Sequence, residues 1–128
     1  MTASVALLAL GIVAAAGQAP TKTTNDGVYT AAQAGRGKTV FEAKCTGCHE
    51  PSRFTGETFF EAWDGKPMKE LWDVASGTMP EDNPGSLKQQ EYGDILAYFL
   101  ALNEFKPGET ELAGNAAAMA AIKVEKKK

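Results

Sequence analysis

Both cysteines and the single histidine of this 128-residue chain fall within five consecutive positions, Cys45-Thr46-Gly47-Cys48-His49. That concentration restricts the chemistry of the chain more than any other feature. A structural zinc site needs about four Cys or His ligands, and the chain supplies three in total. A dithiol oxidoreductase usually sets its C-x-x-C at the start of a helix that follows a strand, and no strand pattern precedes Cys45. A redox dithiol, and after it a plain disulfide, stay as the lesser readings. The histidine placed directly after the second cysteine selects the main one, covalent attachment of a c-type haem. Each thiol can add across a porphyrin vinyl group, and His49 is then placed to bind the iron through Nε2. The expectation is one haem c held by two thioethers.

The same scarcity restricts the other side of the iron. With no second histidine, the sixth ligand is Met, Lys, water or nothing. Of the four methionines, Met1 lies in the leader and Met119 in the tail. Met79 sits in Ser76-Gly77-Thr78-Met79-Pro80, between a helix-ending glycine and a proline that biases its predecessor towards extended geometry. Met68 lies in a segment with helical periodicity, where methionine is commonly a flexible core filler. Met79 is therefore the expected second metal ligand beside His49, and Met68 a core residue.

With these segments in view, the chain resembles a class I (small, monohaem) bacterial cytochrome c. The resemblance rests on Gly37-Lys38-Thr39-Val40-Phe41, the Cys45 to His49 motif, Thr78-Met79-Pro80, and Tyr92-Gly93-Asp94-Ile95-Leu96-Ala97-Tyr98-Phe99-Leu100. It spans roughly Ala31 to Asn103. It implies an all-α cytochrome c fold, three to four helices packed around one covalently bound haem. It also implies that the face carrying Gly37 and Phe41 crosses the C-terminal helix near Ile95 and Tyr98.

Residues Thr2 to Ala19 carry no charge, and Val5 to Ala16 form an apolar run of signal-peptide length, too short for a bilayer that needs about 20 residues. A basic stretch before it is missing, so an uncleaved anchor stays open. Export agrees with the motif, because c-type haem is attached outside the cytoplasm, where unprotected thiols would otherwise tend to oxidise. The expected organisation is a signal peptide over 1–19, a flexible lead over 20–30, a cytochrome c domain over 31–106 and a C-terminal extension over 107–128. The remaining chain of about 109 residues fits one small domain. A formal net charge of −3 argues against nucleic acid, and no phosphate-cradling glycine loop appears. Nine acidic residues face three lysines between Glu57 and Asp94, whereas Arg36, Lys38, Lys44 and Arg53 outnumber Glu42 and Glu50 around the motif. A solvated face explains both better than a docking patch does.

Helical patterning begins near Ala31 and runs to Lys44, despite Gly35 and Gly37, each costing about 1 kcal/mol relative to Ala; such a glycine suggests close approach of another backbone. Gly37 and Phe41 share a face. From Glu50 to Asp64 the signals are loop-like, with Phe54, Phe59, Phe60 and Trp63 expected as walls of the haem pocket and the Trp63 indole as a donor to a propionate. A helix starting at Pro67 is expected to end at Gly77. Ser86 with Gln89 reads as a capping box before the strongest helix, Leu87 to Asn103, whose stripe is Tyr92, Ile95, Leu96, Phe99 and Leu102. A short helix is expected within Ala116 to Ile122.

The function implied is one-electron transfer by a carrier that is exported to the periplasm and is not an enzyme, since two filled axial positions leave no vacancy for a substrate. One alternative is a sensing or catalytic haem with an open sixth site, although no second histidine exists to act as distal acid or base. Another is a fixed haem subunit or domain of a larger dehydrogenase complex. Partners are a redox donor and acceptor. The run Met79 to Leu87, with the following helix and extension, resembles cytochromes that accompany periplasmic dehydrogenases, so a dehydrogenase and a terminal oxidase are the candidates. A membrane partner enters only if the leader is uncleaved.

Overall fold

The computed structural model describes residues 19–127; the expected signal peptide lies almost wholly outside them. Among the described residues the helices are five, α1 (Ala31–Lys44), α2 (Gly56–Trp63), α3 (Met68–Thr78), α4 (Gln89–Leu102) and the short α5 (Ala116–Ala120). A 3-10 turn spans Pro51–Phe54, and two-residue strands β1 (Lys22–Thr23) and β2 (Ile122–Lys123) pair in parallel. The expected all-α class holds, with α5 supplied by the extension.

α1 begins where Thr30 Oγ1 accepts the Gln33 N–H at 3.2 Å, satisfying one of the helix's orphan donors. Gln33, Ala34, Gly37 and Phe41 form its buried face, at the spacing of a single helical stripe. That face lies on α4, and the α1–α4 contact is the most extensive in the molecule. Gly37 makes it possible: a Cβ there would stand 1.8 Å from the Asp94 carbonyl oxygen and 2.9 Å from the Ile95 nitrogen. Beyond it, Phe41 packs its ring 5.6 Å from Tyr98 and 5.7 Å from Phe99.

Three expectations change. The stretch from Glu50 to Asp64 is not a loop, because α2 is capped from a distance: Asn103 Oδ1 on the far end of α4 accepts the Gly56 N–H at 2.9 Å. A partner 47 positions away leaves no local pattern. The start of α4 is not a Ser86/Gln89 box. Glu91 accepts the Lys88 N–H at 2.8 Å, and Ser86 instead belongs to the preceding turn, its N–H bonded to Asn83.

The third change concerns the two ends. Residues 20–30 are not a loose lead, and the described part of the extension, 107–127, packs against them. β2 pairs with β1 on one side, while Val124 exchanges two 2.8 Å hydrogen bonds with Gly65 and Lys66 on the other. Leu112, Met119, Ile122 and Val124 are core side chains, each at most 5 % exposed. Fully buried Gln33 turns its amide on the Leu112 peptide like a neighbouring strand, donating to the carbonyl at 2.7 Å and accepting the N–H at 2.8 Å. Gln90 repeats the contact, donating to Leu112 and accepting from Gly114. Asp94, 5 % exposed, accepts from Gln33, Gln90 and Arg36. Arg36 also reaches Glu111 at 2.8 Å, and these hydrogen-bonded carboxylates raise its guanidinium pKa further. A small core gains apolar area this way, which a domain of this size needs.

Candidate haem-binding site

The five-residue motif is wound onto the C-terminus of α1. The Cys45 N–H donates to Phe41 at 2.8 Å, and the Cys48 and His49 N–H groups both donate to the Cys45 carbonyl, at 3.1 and 2.9 Å. Thr46 Oγ1 donates back to the Glu42 carbonyl at 2.8 Å. The two cysteines and the histidine thereby share one tight turn. No disulfide joins the two cysteines; Cys45 is half-buried and Cys48 exposed. Burial pushes the Cys45 thiol pKa up from its ordinary value, as expected for an acid whose charged form is desolvated.

The His49 ring is backed by aromatic side chains. Phe54 meets it edge-on at 5.5 Å between centroids, stacks on Phe99 at 4.3 Å and 7°, and meets Phe41 edge-on at 5.6 Å. Asn103 ties this layer to the core, donating from Nδ2 to the Phe54 carbonyl at 2.8 Å. Expected as a pocket wall, Phe54 therefore stands beside His49. Among the described residues, the Nδ1 atom of His49 is buried without a hydrogen-bond partner.

Met79 lies one step past the end of α3, half-buried. Its N–H donates to Ala75 at 3.2 Å. Its carbonyl accepts from the Tyr92 hydroxyl at 2.6 Å and from the Gly85 N–H at 3.2 Å. Gly85 adopts φ +73°, a left-handed turn that glycine enters without steric cost, and so the chain from Met79 closes on itself. Met68 is fully buried in the core, as its periodicity predicts. Trp63 is half-buried at the core's margin, with the Lys66 ammonium 5.5 Å from its ring centroid; no aromatic pairing joins it to His49 or Phe54. Phe59 is 1 % exposed and Phe60 packs on it and on Phe105.

Two residues next to the site escaped the sequence reading. Tyr92 enters there as part of an apolar stripe and of the segment that carries the resemblance, and Asn103 as a helix end, neither with a role for its polar group. The available signal was the polar tip: a buried Tyr hydroxyl needs a partner, and an Asn that closes a helix has an amide to place.

The donor set fits a covalently attached haem. Two unpaired thiols and an imidazole share one turn, an aromatic layer backs the imidazole, and a thioether stands in an anchored loop elsewhere. A family model described as "Cytochrome C oxidase, cbb3-type, subunit III" matches residues 32–99, from the first turn of α1 into α4. No curated protein and no solved structure matched the chain. Over more than half of its length, from α1 through the Cys-x-x-Cys-His turn and the Met79 loop into α4, the chain belongs to that family and is a class I cytochrome c, with the covalently bound c-type haem and the haem-based electron transfer that this entails.

Proposed function

We propose that this chain is a periplasmic one-electron carrier whose single haem is bonded through Cys45 and Cys48 and ligated by His49 and Met79. The haem, when bound, supplies an iron that exchanges one electron at a time. The protein's part would be to hold it: Cys45 and Cys48 would tether the ring, His49 Nε2 and the Met79 sulfur would bind the iron, and Phe54, packed on Phe99 and Phe41, would keep water from the His49 side. A thioether joining histidine on the iron would raise the reduction potential, because it favours the reduced metal. With both residues bound, the site would move electrons and leave no position for a bond to substrate.

The observation that carries this reading is the disposition of the methionines. Among the described residues, Met68 and Met119 are both fully buried in the core, whereas Met79 is half-open and held by its main chain. The periplasmic location is supported by the apolar run before residue 20 and by the chemistry of haem attachment. Among the described residues no helix is long and apolar enough to cross a membrane. Donor and acceptor are redox proteins, a periplasmic dehydrogenase and a terminal oxidase being the candidates.

The test is the absorption spectrum of the oxidised holoprotein beside that of Met79→Leu. A far-red sulfur-to-iron charge-transfer band should be present in the wild type and lost in the variant. A high-spin wild type without the band would overturn the ligand assignment and favour an open sixth site. A second reading, a haem subunit fixed within a larger redox complex, is favoured by the family description, which names an oxidase subunit. Size-exclusion of the protein from its native source separates the two, because a fixed subunit elutes with its complex and a carrier elutes alone.

A further inference from the structure

We infer that Tyr92 is a positioning residue that keeps Met79 on the metal by anchoring its peptide to α4; this rests on the reading of Met79 as axial ligand. Tyr92 is 1 % exposed. Its ring meets Trp72 of α3 edge-on at 6.1 Å, and its hydroxyl ends at the Met79 carbonyl, 2.6 Å away. The same hydroxyl accepts the Leu87 N–H at 3.4 Å. One side chain thus joins the helix before Met79, the Met79 peptide itself, and the chain entering α4.

The other contacts of Met79 cannot replace this one. Its N–H bonds back into its own helix, at Ala75, and the Gly85 N–H that shares its carbonyl belongs to the same loop. Both could travel with the loop if it swung away. The Tyr92 hydroxyl is the hydrogen bond that ties Met79 to a separate element, α4, which is itself clamped on α1 through Gly37. Withdrawing the thioether by moving the Met79 peptide therefore means breaking the Tyr92 contact and leaving a buried hydroxyl without its acceptor. A competing ligand must select that released state, and its apparent affinity falls with the state's population. Removing the hydroxyl should raise that population without altering the competitor's own bond.

The experiment is an imidazole titration of the oxidised holoprotein, wild type against Tyr92→Phe, read by loss of the charge-transfer band. The variant should keep the band without imidazole and bind imidazole about fivefold more tightly, the equivalent of roughly 1 kcal/mol. Phe105→Leu, which loosens the core next to Phe60, should lower thermal stability and leave imidazole affinity unchanged. In a Met79→Leu background, Tyr92→Phe should have no further effect. Unchanged affinity in Tyr92→Phe, an equal shift in Phe105→Leu, or a persisting effect in Met79→Leu would each overturn the inference while leaving Met79 as ligand. Absence of the band from the wild type would instead overturn the ligand reading and the inference together. If Tyr92→Phe fails to retain haem, the Tyr92 hydroxyl proton in the reduced wild type decides by NMR. Slow exchange supports the anchor, and exchange at the rate of an exposed tyrosine overturns it.

Discussion

Replacing Gly37 by alanine should cost more than any other single-methyl addition in α1, and Gly35 provides the matched control. At Gly37 the new Cβ would lie 1.8 Å from the Asp94 carbonyl oxygen, 2.3 Å from its carbon and 2.9 Å from the Ile95 nitrogen. All three atoms are main chain of α4, so no side-chain rotation can relieve the collision. Restoring even the shortest contact that real Cβ atoms make requires about 1.2 Å of separation between the helices. A gap of 0.5–1 Å already forfeits a quarter to a half of a dispersion contact, and Phe41 against Tyr98 and Phe99 would bear that loss. Overpacking of this kind costs about 1–3 kcal/mol. A backbone collision belongs at or above the top of that range, while alanine's helix propensity returns about 1 kcal/mol. The net expectation is at least about 2 kcal/mol of destabilisation, or roughly 8 °C or more in Tm for a domain of this size. At Gly35 a Cβ would meet nothing within 4 Å, so Gly35→Ala should stabilise by about 0.5–1 kcal/mol. Guanidinium and thermal melts of the holoproteins, followed by far-ultraviolet circular dichroism, measure both. Gly37→Ala melting within 2 °C of the wild type, or Gly35→Ala falling as far, would refute the close crossing of α1 and α4.

Two further outcomes follow from the ends of the chain. Stopping it after Pro107 removes Leu112, Met119, Ile122 and Val124, each at most 5 % exposed. At about 1.5–3 kcal/mol apiece, that loss rivals a typical net stability of about 5–15 kcal/mol, so the shortened holoprotein should show no cooperative melt above 37 °C. Tyr29, 2 % exposed with its hydroxyl donating to the Phe105 carbonyl, has its pKa raised by desolvation. Its ionised form therefore favours the unfolded chain. The stability linked to Tyr29 is complete below its ordinary pKa of about 10 and is lost as pH rises through its higher folded value. Tyr29→Phe should be less stable at neutral pH by about 1 kcal/mol, yet lose less stability than the wild type between pH 9 and 12 in urea melts.

What could be read without coordinates was whatever lies close together in the chain. The Cys45 to His49 motif carries its chemistry in five adjacent positions, α4 announces itself by a 3.6-residue stripe, and Met79 stands apart from Met68 because a glycine and a proline flank it. Gly37 pointed to a backbone crossing because such a contact offsets the cost of glycine in a helix interior, although Gly35, read the same way, meets no other backbone. Other features depend on partners that are remote in sequence. α2 is a helix because Asn103 caps it, and Tyr92 is more than a core aromatic because its hydroxyl ends on the Met79 peptide. Residues 20–30 look polar and turn-rich and the extension looks like little more than an Ala-rich patch one window at a time, yet 20–30 and 107–127 each supply hydrogen bonds that the other lacks. Periodicity records which face of a segment is apolar. It carries no record of which distant donor meets which acceptor, and that pairing, decided only when α1, α4 and the two ends pack together, fixes the surroundings of the motif.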